Sequence, residues 1–261
     1  MPVVEHTGGQ RHVMEKPMRK RALVLKAAGV LAVLILAFIL QTHNIVHLHL
    51  PYSSSISSIL NYYYSRSPFV KSRRTYYPLS KNLPISTSRI QEIVNEAVLH
   101  TPTSFNSQSN RLVVLHGTEH EKLWDITIDT LKPIVPAENW KATSDKLALF
   151  KGAAGTILFF NDITTVEGLQ AKFVPFADKF PLWASQSLGM LQFVLWTALE
   201  AEGLGANLQH YNPLIDEKVA EAWKVPANWK LNAQLVFGGK TSEATAKQFY
   251  PLEDRVKVFG A

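Results

Sequence analysis

Few residues in this sequence could do nucleophilic or metal chemistry unaided. There is no cysteine, which excludes disulfides, thiolate metal sites and a cysteine nucleophile, and leaves the compartment open. Neither a G-x-S-x-G elbow nor an H-E-x-x-H pair is present. His43, His47 and His49 cluster without a carboxylate nearby in sequence, so an exposed stretch is a plainer reading than a metal site. His116, His120 and His210 are scattered, and His210-Tyr211 reads as part of a helix-to-helix connection. Three clusters remain. One is Arg73-Arg74-Thr75. A second is the polar run Thr101-Pro102-Thr103-Ser104-Phe105-Asn106-Ser107-Gln108. The third is Glu202-Gly203-Leu204-Gly205-Ala206-Asn207. Each also has an ordinary explanation: a positively charged flank, a turn and a helix cap.

The elements that must position these clusters can be read from periodicity and punctuation. Ser88-Arg89-Ile90-Gln91 has the form of a capping box, and Ile90, Ile93, Val94, Ala97 and Val98 follow at helical spacing. Pro102 ends that helix, and residues 111–115 (RLVVL) read as a strand. Thr118-Glu119-His120-Glu121 opens a second helix by the same box, and residues 155–160 (GTILFF) form a buried strand. Residues 184–202 make a long helix with Leu188, Leu191, Leu195, Ala198 and Leu199 inward, closed by Gly203. Asn212-Pro213 starts another helix as cap and first helical residue, and residues 231–237 and 256–259 read as further strands. Helices separate most strands without strict alternation, which indicates an α+β fold with helices packed around a sheet.

The N-terminal part has a different composition. Residues 1–21 are a basic, polar, disordered arm, and residues 22–40 are apolar except for Lys26. A helix of that length spans about 28 Å, close to the hydrocarbon thickness, which suggests a single-pass membrane anchor. A cleaved signal peptide, a mitochondrial targeting arm and a buried helix compete with it. Residues 41–70 form a Ser- and Tyr-containing linker, and the globular domain occupies 71–261. Lys and Arg flank the apolar run on its N-terminal side only, until Arg66, so the positive-inside rule puts the domain across the membrane. A shallow interfacial or hairpin element, helped by the apolar stretch 45–50, or insertion in a mitochondrial membrane would place it otherwise, so side and organelle stay open. The net charge of +6 leaves only about +1 for the domain, which argues against a nucleic-acid partner.

Taken together and in order, the R-R-T triplet, the T-P-T-S-F-N-S-Q loop, E-G-L-G within GLGANLQHYNP, and the C-terminal stretch KQFYPLEDRVKVF resemble the nitroreductase family, in its fungal and bacterial branch. The resemblance covers roughly residues 71–261. It implies a mostly antiparallel sheet surrounded by helices, and a homodimer with FMN at the interface, each chain contributing to both sites. It also implies a ping-pong reaction in which NADH or NADPH reduces the flavin and a quinone, nitroaromatic or similar small oxidant reoxidises it. On this reading Arg73 and Arg74 hold the FMN phosphate by charge-assisted bonds, with a hydroxyl from Thr75. Thr103, Ser104, Asn106 and Gln108 serve the ribityl chain and ring edge. Gly203 and Gly205 let backbone approach the ring, and N–H groups around Glu202 and Gly203 face its reactive edge. Lys247 and Arg255 complete the phosphate site. No catalytic side chain is implied, because the flavin carries the chemistry. Ser109-Asn110 departs from the Pro-Trp pair that often follows the Gln in the better-known bacterial enzymes, which puts substrate preference in doubt more than flavin binding.

A tether would suit amphipathic substrates and a role in oxidative-stress or lipid responses. The competing readings are a non-catalytic flavin-binding sensor and a membrane-anchored regulatory protein.

Overall fold

The computed structural model describes residues 68–260. In chain order its elements are α1 (Pro68–Ser72), β1 (Leu79–Ser80), α2 (Thr87–His100), a 3-10 turn (Ser104–Asn106), β2 (Asn110–His116), α3 (Gly117–Leu131) and α4 (Ala137–Lys151). There follow β3 (Gly155–Asp162), α5 (Ile163–Lys172), a second 3-10 segment (Val174–Lys179), α6 (Phe180–Ala201), β4 (Leu204–Gln209), α7 (Asp216–Trp223) and β5 (Trp229–Lys240). The expected arm, membrane helix and nearly all of the linker lie outside the described residues. Among the described residues no helix is long and apolar enough to cross a membrane.

All the strand pairings are antiparallel. β2 pairs with β3, β3 with β5, and β5 also with β4 and with the short β1. The near-continuous apolar run of β3 is explained by helices on both faces of the sheet, since alternation is needed only where one face meets water. Leu158 and Phe160 face a core with Leu123, Trp124, Leu147 and Phe150 of α3 and α4, together with Val219 of α7. Ile157 and Phe159 face the other core, built on α2 and α6. In α6, Leu188, Leu191, Leu195 and Leu199 are fully buried at helical spacing, each worth about 2 kcal/mol of burial. In α2 the expected inward face holds for Ile90, Ile93, Val94 and Ala97, while Val98 turns to solvent.

Several local expectations are corrected. The cap of α2 is Ser86, whose hydroxyl accepts from the Arg89 N–H at 3.1 Å, so Ser88 lies inside the first turn and the Ser88–Gln91 box does not form. α3 starts at Gly117 with no side-chain cap, and Glu121 instead meets Lys81 at 2.5 Å. α6 begins at Phe180, four residues before the expected start, because Pro181 sits in the first turn, where its missing N–H costs nothing. Asn212-Pro213 does not open a helix. The Asn212 side-chain amide oxygen accepts from the Gln234 side-chain amide at 3.4 Å, and α7 starts at Asp216. The stretch containing His210 and Tyr211 leaves a strand, β4, rather than joining two helices. Residues 256–259 form no strand: they are exposed and have no backbone neighbour to complete a ladder.

Candidate active site

Residues 73–76 run extended beside β4. Thr75 makes a parallel bridge to Ala206, and the Tyr76 N–H donates to the Ala206 carbonyl at 3.0 Å. Successive side chains of an extended chain point to opposite sides. Accordingly the Arg73 guanidinium lies 4.4 Å from the centre of the Trp196 ring on α6. The Arg74 guanidinium goes the other way and donates to the carbonyl of Thr245, just past β5. The two guanidinium groups are thus held apart, Arg73 on Trp196 and Arg74 on Thr245, and by the alternation of an extended chain Thr75 falls on the Arg73 side and Tyr76 on the Arg74 side.

The polar loop has the most unusual backbone among the described residues. Phe105, Asn106 and Gln108 all have positive φ, at 56°, 50° and 50°. Non-glycine residues rarely adopt this conformation, and three within four positions mark a strained segment that its surroundings must hold. The Thr103 hydroxyl accepts from the Gln108 N–H at 2.9 Å, and the Ser104 N–H donates to the Ser187 hydroxyl of α6 at 3.3 Å. Phe105 stacks among Phe173 at 4.8 Å, Phe180 at 5.5 Å and Trp183 at 6.0 Å between ring centres. With these anchors the side-chain amides of Asn106 and Gln108 point to solvent and have no hydrogen-bond partner among the described residues.

The third cluster is where α6 turns into β4. Gly203 has φ +88°, and a side chain there would meet only Pro84 at 3.7 Å, so it is the backbone angle that calls for glycine. Gly205 answers to close packing: an added Cβ would come within 2.7 Å of Leu79 and 3.0 Å of Tyr76. Its missing side chain makes room for the protein's own strand. The N–H groups of Glu202 and Gly203 already donate to carbonyls of the last turn of α6, Gly203 to Glu200 at 3.0 Å. The Glu202 carboxylate accepts from Arg89 of α2 at 2.7 and 3.0 Å, and this pairing holds the arginine's pKa above its ordinary value. Beside this pair α2 and α6 enclose an open cleft of about 360 Å³ floored by Ile93, Ala97, Val194 and Ala198.

Thr241 donates to the Pro78 carbonyl at 2.8 Å and Ala244 packs on the core; beyond Thr245 the tail is exposed, Lys247, Phe249, Leu252, Arg255 and Phe259 included, and among the described residues neither Lys247 nor Arg255 shares a hydrogen-bond partner with Arg73.

The α6 helix thus joins every cluster: Trp183 and Ser187 hold the loop, Trp196 holds Arg73, and the C-terminal end leads into Gly203. Ser187 and Trp196 lie about 14 Å apart along its axis. Trp196, Ser187 and Arg89 were not evident from sequence, because a tryptophan or serine on a long apolar helix reads as core or surface.

The histidines have other work. His120 is fully buried, with Nδ1 2.9 Å from the Thr156 hydroxyl and Nε2 3.1 Å from the Phe150 carbonyl. A carbonyl only accepts, so Nε2 carries the proton and Thr156 donates to Nδ1, while Trp124 donates to Thr156 at 3.2 Å. Burial pushes the His120 pKa down to about 4, against the carbonyls of Phe150 and Lys151. Burial likewise lowers His116. His210 is exposed. No three His, Asp or Glu side chains among the described residues come together as metal ligands.

Comparison with known proteins agrees with this architecture. Residues 70–239 match the model of the nitroreductase family. The Saccharomyces cerevisiae protein HBN1 is 39% identical over 189 residues, covering 72% of this chain and 93% of HBN1. The nitroreductase CinD from Lactococcus lactis, solved in complex with 4-nitrophenol, superposes with a TM-score of 0.68 at 45% identity, covering 74% of this chain and 98% of CinD. A Desulfovibrio desulfuricans protein solved in complex with FMN shares the fold at 18% identity, with a TM-score of 0.55 over 74% of this chain and 99% of its own.

Proposed function

This chain belongs to the nitroreductase family of oxidoreductases, and from that premise we propose that it binds FMN and uses NADH or NADPH to reduce small aromatic oxidants such as nitroaromatics and quinones. The observation that carries the reading is the loop of residues 103–108. Its strained backbone turns two unpartnered amides outward beside an aromatic cluster, which suits the polar edge and flat face of a flavin. When bound, FMN supplies the hydride chemistry, accepting from the nicotinamide and giving to the oxidant. The chain's own residues bind and orient. Arg73 and Thr75 offer a charged donor and a hydroxyl to the phosphate, and Asn106 and Gln108 offer donors and acceptors to the ring or ribityl chain. Phe105, itself half-exposed, and its aromatic neighbours provide a surface for a flat acceptor. The 4-nitrophenol complex of CinD supports nitroaromatics as the acceptor class.

The test is anaerobic. The full chain loaded with FMN should bleach on adding NADH or NADPH and regain its colour with a quinone or nitroaromatic. A loaded protein that neither nicotinamide bleaches would be a flavin binder and not a reductase.

The functional unit on this reading is a homodimer with flavin at its interface. Exposed Leu182, Met190 and Phe193 on α6, with the apolar tail, support burial against a second copy. Sedimentation showing a monomer at micromolar concentration would remove that element. For the N-terminal segment we propose membrane attachment through residues 22–40, on the grounds of its apolar length and basic flank. Recovery of the full chain in the soluble fraction would remove the anchor, and protease protection on sealed microsomes and mitochondria assigns its side.

A further inference from the structure

The Arg73-Arg74-Thr75 triplet holds two guanidinium groups that sequence cannot tell apart, and the structure gives them different tasks. Trp196 contacts both residues. Its ring lies under the Arg73 guanidinium at 4.4 Å, and its indole N–H donates to the Arg74 carbonyl at 3.3 Å. The next residues are fixed in the same register: Thr75 bridges Ala206, and the Asn207 amide donates to the Tyr76 carbonyl at 2.8 Å. With the backbone so held, Arg73 cannot exchange places with Arg74. Tyr76, on the Arg74 side, belongs to the core cluster against which Ala244 packs, and Arg74 itself binds Thr245 one residue further on.

We propose that Trp196 is a positioning residue for recognition of a flavin phosphate. It presents Arg73, with Thr75, to the phosphate monoester and commits Arg74 to the root of the C-terminal tail. This rests on the FMN reading. A guanidinium stacked on an indole keeps its edge N–H groups free, so the ring orients the fork without consuming its donors. Freed from the ring, Arg73 would sample other rotamers and lose that orientation.

The experiment compares the affinities of the full-length chain for FMN and for riboflavin, which lacks the phosphate, by flavin fluorescence. Arg73→Gln should weaken FMN at least about tenfold and riboflavin little. Arg74→Gln should weaken FMN less than about threefold and speed tryptic cleavage at Lys247 relative to Arg255. Trp196→Leu should lower the FMN-to-riboflavin affinity ratio about fivefold, and Trp196→Phe, which keeps a ring face, should restore most of it. If the leucine variant does not fold, Trp196→Met, closer in volume and also without a ring, is read in its place. A ratio unchanged in the leucine or methionine variant overturns the positioning role, as does an Arg74→Gln effect on the ratio equal to that of Arg73→Gln. An unchanged ratio in Arg73→Gln overturns the phosphate assignment itself. A wild-type chain that takes up neither flavin overturns the FMN reading and this proposal with it, whereas the cleavage ratio at Lys247 reports the Arg74 clamp without any flavin.

Discussion

Acid should destabilise this domain through His120 before its carboxylates matter. The ring is neutral, fully enclosed and hydrogen-bonded at both nitrogens, so protonation would put a charge in the core and turn Nδ1 from acceptor to donor against the Thr156 hydroxyl. Its folded pKa of about 4 lies below the ordinary 6.5. The unfolded chain therefore binds the proton first, and stability is fully present above pH 6.5 and drains away as pH falls toward 4. Linkage over that gap gives a loss of about 2 kcal/mol between pH 7.5 and 5, and about 3 kcal/mol by pH 4. His116, also lowered by burial, adds a loss of the same sign. The assay is urea unfolding of the apoprotein at several pH values, for wild type and His120→Gln. Glutamine has no titration in this range, so the variant begins less stable at pH 7.5 and the gap to wild type narrows by about 2 kcal/mol at pH 5. Because His116 titrates in both proteins, it cancels from the comparison. Equal losses in the two proteins between pH 7.5 and 5 would refute the reasoning.

Two further perturbations test other parts of the site's support. Gly203→Ala should cost about 1–2 kcal/mol in urea unfolding, from the left-handed backbone angle and not from a clash, and Gly203→Val more; unchanged stability in the valine variant would show that the turn relaxes freely. Asp162 caps α5 through the Thr165 N–H at 3.3 Å and binds Arg111 at 2.7 Å and Asn228 at 2.8 Å. Burial alone would raise this carboxyl, but Thr165, Arg111 and Asn228 outweigh it and hold its pKa below 3.8. Asp162→Asn should cost about 2 kcal/mol at pH 7, by loss of the charged bonds. In wild type that contribution should be lost only as pH falls below about 4, through the lowered folded value, a window separate from that of His120. A variant as stable as wild type at neutral pH would assign the network no net worth.

Strongly periodic segments were legible in the sequence. The leucine ladder of α6, the apolar run of β3 and the inward face of α2 each follow from spacing alone, because burial on one or both faces imposes it. Segments whose stability comes from partners were not. β4 reads as the glycine-marked end of a helix because LGANLQ is poor in strand-forming residues. It is a strand because β5 pairs along it and because the Asn207 amide finds the Tyr76 carbonyl. The caps failed for a related reason: Ser86 and Ser88 are chemically equivalent, and only the path of the entering chain selects the first. In the site, the clusters themselves were visible as compositional anomalies, whereas their geometry was not. Alternation of an extended chain sends Arg73 and Arg74 apart, and that follows only once β4 is known to lie beside them. The strain at Phe105, Asn106 and Gln108 has little sequence signal, since none of the three is glycine and only asparagine favours a positive φ.

The central claim is that this chain is an FMN protein, and equilibrium titration of the full-length chain with FMN tests it most directly. The account predicts that FMN is retained through gel filtration with one flavin per chain, and that Arg73→Ala weakens FMN at least about tenfold while riboflavin binding hardly changes. A folded chain that stays colourless and takes up no added FMN would contradict it.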